Sequence, residues 1–385
     1  MPRGLHIDRL GGVLTIAGAA ALAGLPFAVY KPNRIMPGDG LGLLAAAPVP
    51  VAYACIAVLL LAALTALFAR PARLRLAVAL LGIVVLAGAI GAAGDALTPP
   101  GNRVVRIAPG AACWVLLAVL MLMATDALTR LRPRPLTRVL LLAACAVGAG
   151  LAFALGVFDH LSVMREYAVN AERFARELQR HVWLSFGSLA AASCVALPLG
   201  ILCHRLPRLR AGTLVTLNLV QTIPAIALFG ILMAPLAALA ANVEWAARLG
   251  IHGIGAAPAV IALFLYSLLP IVANTVVGLG RVSPAAVEAA RGMGMTAGQV
   301  LARIELPLAL PVILTGVRIV LVQNIGLVTI AALIGAGGLG AFVFQGIGQT
   351  AIDLVLLGAL PTVALAFGAS VLLDAWVETL ERVPP

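Results

Sequence analysis

The chain has 385 residues, 62% of them hydrophobic and 11% charged, and its mean hydropathy of +1.09 excludes a string of soluble domains in favour of a polytopic membrane protein. Its formal net charge of +11 reports orientation in the membrane and not a nucleic-acid partner, because Arg and Lys in short loops collect on the cytoplasmic side. Five cysteines with no CxxC pair and five histidines without ligand spacing exclude a disulfide framework and a metal centre.

Apolar runs of about 20 residues, enough to cross a bilayer, recur ten times in chain order: 10–30, 49–69, 74–94, 108–128, 138–157, 182–203, 213–236, 258–280, 309–333 and 353–376. The first follows basic residues and carries small residues near Ala19 to Ala21, as a signal peptide does. It reads instead as a start signal retained as a span, since the later spans need its orientation. With the N-terminus inside, sixteen arginines, Arg3, Arg70, Arg205 and Arg303 among them, fall on the cytoplasmic side against nine Lys or Arg opposite. Both termini are therefore expected in the cytoplasm.

Between the fifth and sixth runs lies "FDHLSVMREYAVNAERFARELQRH", residues 158–181. Leu161, Met164, Tyr167, Ala171, Phe174 and Leu178 recur every three or four residues and make one apolar stripe on a helix, with a charged opposite face. It reads as an amphipathic helix flat on the outer membrane surface, or as a docking element for an extracytoplasmic partner. It divides the chain into parts 1–157, 158–181 and 182–380. Two halves of five spans have opposite topology, which admits an ion-coupled secondary transporter built on an inverted repeat. That alternative predicts that "DALTPPGNRVVRI", residues 95–107, should resemble the link between the eighth and ninth spans, and it does not.

Polar side chains inside spans are costly in lipid and mark a cavity, a partner or an interhelical hydrogen bond. Asn218, Gln221, Asn274, Arg318, Gln323 and Asn324 are such candidates for a translocation pathway, and Arg318 could pair with Asp374. "IGAGGLGAFVFQGIGQ", residues 334–349, contains GxGxxG at Gly335, Gly337 and Gly340, but it follows a span and belongs to no βαβ unit, so it is not a dinucleotide site. Gly335, Gly337, Gly338 and Gly340 are expected to break a helix and let backbone line a cavity.

Residues 288–307, in the link 281–307, are about the most polar stretch of the second half. Ser283 is an N-cap residue, Pro284 suits a first helical turn, and Gly292 and Gly294 can end the short helix between them. Thr296 and Gln299 form a capping-box pattern ahead of a second short helix running to Pro307. Glu288, Ala289 and Ala290, three residues, Gly294, nine residues, then Ile304, Leu306 and Pro307 meet a seven-position pattern without insertion. The pattern resembles the EAA loop of permease subunits of ATP-binding-cassette importers. The resemblance implies a coupling helix seated in a cleft of a separate ATPase dimer, with Ala289 and Ala290 allowing close approach, Gly294 the turn and Glu288 a charge for a basic residue of the ATPase.

"QTIPAIALFG", residues 221–230, and "AALIGAGGLGAFVFQGI", residues 331–347, resemble the osmoprotectant branch of that family, whose substrates include glycine betaine and choline. The likeness covers about 181–380, while "YKPNRIMPGDG" resembles a long-form subgroup of betaine permeases. It implies an all-α polytopic fold of the inner membrane: a type I importer permease core, an N-terminal extension of five spans, and about ten transmembrane helices in all. The implied partners are the ATPase dimer, a second permease of the same or homologous kind, an extracytoplasmic solute-binding protein and membrane lipid. ATP and Mg belong to the ATPase and no cofactor is expected here, since a P-loop needs a lysine and the single one, Lys31, lies in an outer link. No nucleophile and base pair suggests catalysis, and with 5% aromatics the chain offers little for an amine-binding cage.

Overall fold

The computed structural model describes residues 8–34, 36–68, 71–102 and 104–381. Arg3, His6, Ile35, Arg70, Arg103 and Arg382, which enter the counts and motifs above, lie outside them. The chain forms two compact units, residues 1–134 with 143–169 and residues 135–142 with 170–385.

The first unit is a bundle of α1 (Arg9–Gly24), α3 (Val49–Leu67), α4 (Ala72–Leu97) and α5 (Ala111–Leu131), with the short α2 (Leu43–Ala46) between α1 and α3. Alanines fill its centre: Ala52, Ala79, Ala89, Ala93, Ala112 and Ala127 are wholly buried. Small residues let helix backbones approach, which drives association where lipid offers no hydrophobic gain. A three-stranded antiparallel sheet of β1 (Ala28–Lys31), β2 (Asp39–Leu41) and β3 (Arg106–Pro109) caps one end, β1 in the middle, with Ala28 opposite both Leu41 and Pro109. The all-helical expectation missed this sheet, because β1 pairs with residues almost eighty positions away and three- or four-residue strands carry no readable alternation.

The opposite end of this bundle closes on Arg75, whose side chain is 3% exposed. Its guanidinium meets Asp8 at 2.9 Å and Asp126 at 3.0 Å, and it donates to the Ala66 carbonyl at 2.8 Å. Arg130 joins the same two acids at 2.8 and 2.9 Å. Asp8 also caps α1, accepting from the Leu10 and Gly11 amides. Burial pushes the Asp8 carboxyl up, but hydrogen bonds from Arg75, Gly11 and Arg130 with the Arg75 charge outweigh it and hold the pKa below the ordinary value.

Helix α6 (Pro135–Ala154) leads to α7 (Ser162–Arg205), one uninterrupted helix of 44 residues. The expected surface helix 158–181 and the span 182–203 are therefore a single element, since no Pro or Gly lies between Ser162 and Phe186 to break it.

In the second unit α7 is followed by α8 (Pro207–Thr222), α9 (Ala225–Asn242), α10 (Glu244–Arg248) and α11 (Ala256–Gly280). Then come α12 (Pro284–Gly292), α13 (Ala297–Val300), a π turn (Leu301–Glu305), α14 (Leu306–Ala331), a 3-10 turn (Ala332–Ile334), α15 (Gly340–Gly348) and α16 (Ile352–Glu381). Helices α11 and α14 form the centre, with α8, α9 and α16 against them. Their contact is tight: a Cβ at Gly316 of α14 would lie 2.8 Å from the Pro270 carbonyl oxygen of α11.

Among the described residues nine helices are long and apolar enough to cross a membrane, against ten expected spans. The difference is α1, whose 16 residues make about 24 Å, less than a hydrocarbon core of about 30 Å. The expected span 213–236 is also displaced. Pro224 holds Ile223 extended (φ −71°, ψ 126°), so α8 stops and α9 starts afresh.

Arg75→Ala is expected to destabilise the first unit by about 2 kcal/mol, below the usual cost of breaking a buried ion pair because Arg130 still reaches both acids. Chemical denaturation in detergent micelles measures it. The stability due to Asp8 is present above its ordinary pKa and is lost as pH falls through its lowered folded value. The gap between wild type and variant should therefore narrow in acid.

Candidate functional site

At one end of α11 the chain leaves the bundle and forms a knob. Pro284 opens α12 and Ser283 occupies its N-cap position, although the Ser283 side chain makes no capping bond. Gly294 turns the chain in the left-handed region, at φ +84°, which glycine adopts without strain. The capping box forms as the sequence indicates: the Gln299 amide donates to Thr296 Oγ1 at 3.4 Å and the Thr296 amide to Gln299 Oε1 at 2.8 Å. The expected second short helix ending at Pro307 is instead continuous with α14 through the π turn, in which the Leu306 amide donates to the Leu301 carbonyl. Pro307 lacks the N–H that an α-helix would direct at residue 303, and the wider turn leading into it accommodates that loss.

The seven motif residues divide by exposure. Glu288, Ala289, Gly294 and Pro307 are exposed, Ile304 and Leu306 half-buried, and Ala290 buried. The small size of Ala290 thus serves the interior of the knob and not its outer contact. Glu288, Ala289 and Met293, the last 70% exposed, form the outward face. The base is fixed by Glu305, whose buried carboxylate accepts from Arg205 Nη2 at 2.5 Å.

The polar side chains of the spans fall into distinct environments. Gln221 Nε2 donates at 2.7 Å to the Tyr266 carbonyl, the group that Pro270, lacking an N–H, leaves open four residues later in α11. Tyr266 in turn donates its hydroxyl to the Ile223 carbonyl at 2.5 Å, just before Pro224. Asn274 donates to the Pro270 carbonyl at 2.8 Å. Asn324 is wholly buried and donates to Ser188 and Ser267 at 3.1 Å each, joining α14 to α7 and α11. Arg318 pairs with Asp374. Gln323 is half-buried and Asn218 exposed on α8.

The glycine segment breaks the chain between α14 and α15, with Gly335, Gly337 and Gly338 at φ +77°, +77° and +83°. Its backbone does not go unpaired. The Gly338 amide donates to Glu177 Oε2 at 2.6 Å and the Leu339 amide to His181 Nδ1 at 3.2 Å. His181 is fully buried, and with Nδ1 accepting, Nε2 carries the proton toward the Ile325 carbonyl at 3.0 Å. Arg173 lies 4.9 Å over the Phe342 ring and donates to Gln345, holding α15 to α7.

Glu177, His181, Ser188 and Ser267 escape the sequence reading. The first three stand at i, i+4 and i+11, a single face of α7. That polar stripe is legible in the sequence, but it crosses residue 181, the end of the amphipathic segment 158–181.

Alanine replacements in the glycine segment should rank by geometry. Gly340→Ala is expected to be most destabilising, since its Cβ would lie 2.0 Å from the Thr329 carbonyl oxygen. Gly338→Ala adds a crowded contact, 3.1 Å to Val328, to a left-handed backbone cost of about 1–2 kcal/mol. Gly335→Ala bears that backbone cost alone, its nearest atom being 3.9 Å away. Thermal unfolding in detergent checks the order.

Residues 196–383 match the family described as binding-protein-dependent transport system inner membrane component, and residues 8–164 match the N-terminal domain of ABC transporter permease YehY. The osmoprotectant import permease protein OsmW of Salmonella typhimurium is 45% identical over 197 residues, 51% of this chain and 86% of that protein. The choline transport system permease protein OpuBD of Bacillus subtilis is 39% identical over 217 residues, 56% of this chain and 88% of its own. The carnitine transport permease protein OpuCD of Listeria monocytogenes is 40% identical over 213 residues, 55% and 88% respectively. The family match runs through most of the second unit, where the knob and the glycine segment lie, and with relatives of this identity and coverage the chain accordingly belongs to the family of inner-membrane components of binding-protein-dependent transport systems.

Proposed function

We propose that this chain is the permease subunit of an ATP-driven importer of a compatible solute, glycine betaine or a related quaternary amine, and that a separate ATPase grips the α12 knob. The knob carries this reading. It is capped, turned by Gly294 and anchored at Glu305, yet it presents Glu288, Ala289 and Met293 outward. A short helix stabilised at its base and open at its face suits a cleft in another protein. The relatives' names, which cite osmoprotectant, choline and carnitine transport, support a quaternary-amine substrate.

On this reading ATP and Mg are bound by the ATPase dimer, a second permease copy completes the pathway, and an extracytoplasmic binding protein selects the solute. Residues 182–380 are the permease domain and 281–307 the coupling loop, with 1–157 a membrane extension and 158–181 its outer helical connection. Both termini face the cytoplasm, which requires the short α1 to cross as a tenth span. The broken segment at Gly335, Gly337, Gly338 and Gly340 lines the pathway, since irregular backbone at membrane depth is tolerated only against protein or a cavity. Asn218, Gln323 and Arg318 are further pathway positions. Gln221, Asn274 and Asn324 fix the helices around it through the bonds described above.

Uptake should persist with a protonophore and stop on ATP depletion; the reverse would favour the ion-coupled alternative. Glu288→Lys reverses the outward charge, and Gly294→Pro forces φ from +84° to about −65°. Each should lower uptake by about tenfold or more, equivalent to about 1.4 kcal/mol, and abolish copurification of the ATPase while membrane insertion stays normal. Normal copurification and uptake in both variants would overturn the docking assignment.

A further inference from the structure

We propose that α7 is a strut linking the coupling knob to the glycine segment, and that Arg205 and Glu305 are the positioning residues through which movement of the knob reaches it. The proposal rests on the reading that an ATPase grips α12. Glu305 is the last residue of the π turn and Arg205 the last of α7, and they meet at 2.5 Å with the Glu305 side chain 7% exposed. Water competes poorly for a carboxylate so placed, so the pair behaves as a joint and not as a loose surface contact.

At its other end α7 holds the glycine segment directly. Glu177 accepts from Gly338, and His181 accepts from Leu339 while donating to Ile325 of α14. Glu177 and Arg205 are 28 positions apart on one helix, about 42 Å along its axis. That exceeds the hydrocarbon thickness of about 30 Å, so the two clamps lie toward opposite sides of the membrane. Between them the helix is tied at Ser188 to Asn324, and at Gly200 it lies so close to α11 that a Cβ would be 2.6 Å from Thr275 Cβ. Pro198 is the one internal proline of α7, four residues after the Cys194 carbonyl it cannot reach, and marks where the strut can bend.

The test uses the full chain co-expressed with its ATPase subunit and reconstituted in vesicles, and reads copurification, ATP hydrolysis and solute moved per ATP. Arg205→Gln and Glu305→Gln should each retain ATPase binding and hydrolysis while solute moved per ATP falls by about tenfold. The double exchange Arg205→Glu with Glu305→Arg should restore most of that ratio, which a merely structural lesion would not do. If one single variant fails to accumulate in the membrane, the other and the double exchange decide. An unchanged ratio in the single variants with normal ATPase binding would overturn the strut and leave the docking reading intact. Loss of ATPase binding in the single variants would assign the pair to the docking surface and also overturn it. A wild-type chain that binds no ATPase would overturn both.

Discussion

In a bilayer, every backbone amide or carbonyl that a helix leaves unpaired must find a partner inside the protein. This chain has prolines within α7, α9, α11, α14 and α16 and a glycine break between α14 and α15, so the condition is met repeatedly by side chains. Gln221 serves the carbonyl freed by Pro270, Tyr266 serves the chain end at Ile223, and Glu177 and His181 serve the amides of Gly338 and Leu339. Each substitute partner comes from a helix other than the one that breaks. At Pro270, at Ile223 and at the glycine break, irregular backbone and interhelical connection are thus one feature.

Charge is placed on similar terms. Arg75 carries two acids and a carbonyl, Glu305 has Arg205, and Glu166 sits near Arg34 and Arg106 at 3.2 and 3.7 Å. These groups stand near helix ends but are themselves buried, so each charge is tolerable because a counter-charge and hydrogen bonds offset its desolvation. Arg318 is the exception within a span, and Asp374 of α16 answers it. Most other buried helix positions are uncharged, and interhelical spacing is set by small residues such as Gly200 and Gly316.

Much of this was legible in the sequence. Apolar length located most spans, and Gly294 with the Thr296–Gln299 capping box gave the shape of the knob, because local chemistry decides both. The Arg318–Asp374 pairing was readable because an isolated charge in lipid demands an opposite one. The errors share a cause. The sheet pairing of β1 with β3, the break at Pro224, the continuation of α7 through residue 181 and the π turn before Pro307 depend on long-range pairing or on how a proline is accommodated. Hydropathy averages over such features. Ala290 shows the same limit, since the seven-position pattern identifies it without saying which way it faces.

The distribution of satisfied groups also bears on where motion is possible. A segment whose backbone is bonded only to itself can move without consulting the rest, whereas one bonded to a long helix moves with that helix. The glycine segment is of the second kind, because two of its amides end on α7 and the Gly255 amide, at the start of α11, donates at 2.8 Å to the Ile334 carbonyl just before it. Left-handed glycines give it conformational freedom, and the bonds from Glu177 and His181 restrict that freedom to whatever α7 allows. The knob is the complementary case, internally capped and outwardly open, with Glu305 as its buried tie to α7. Both irregular elements of the second unit therefore converge on the same helix, and a change in the position of α7 cannot leave either of them where it was.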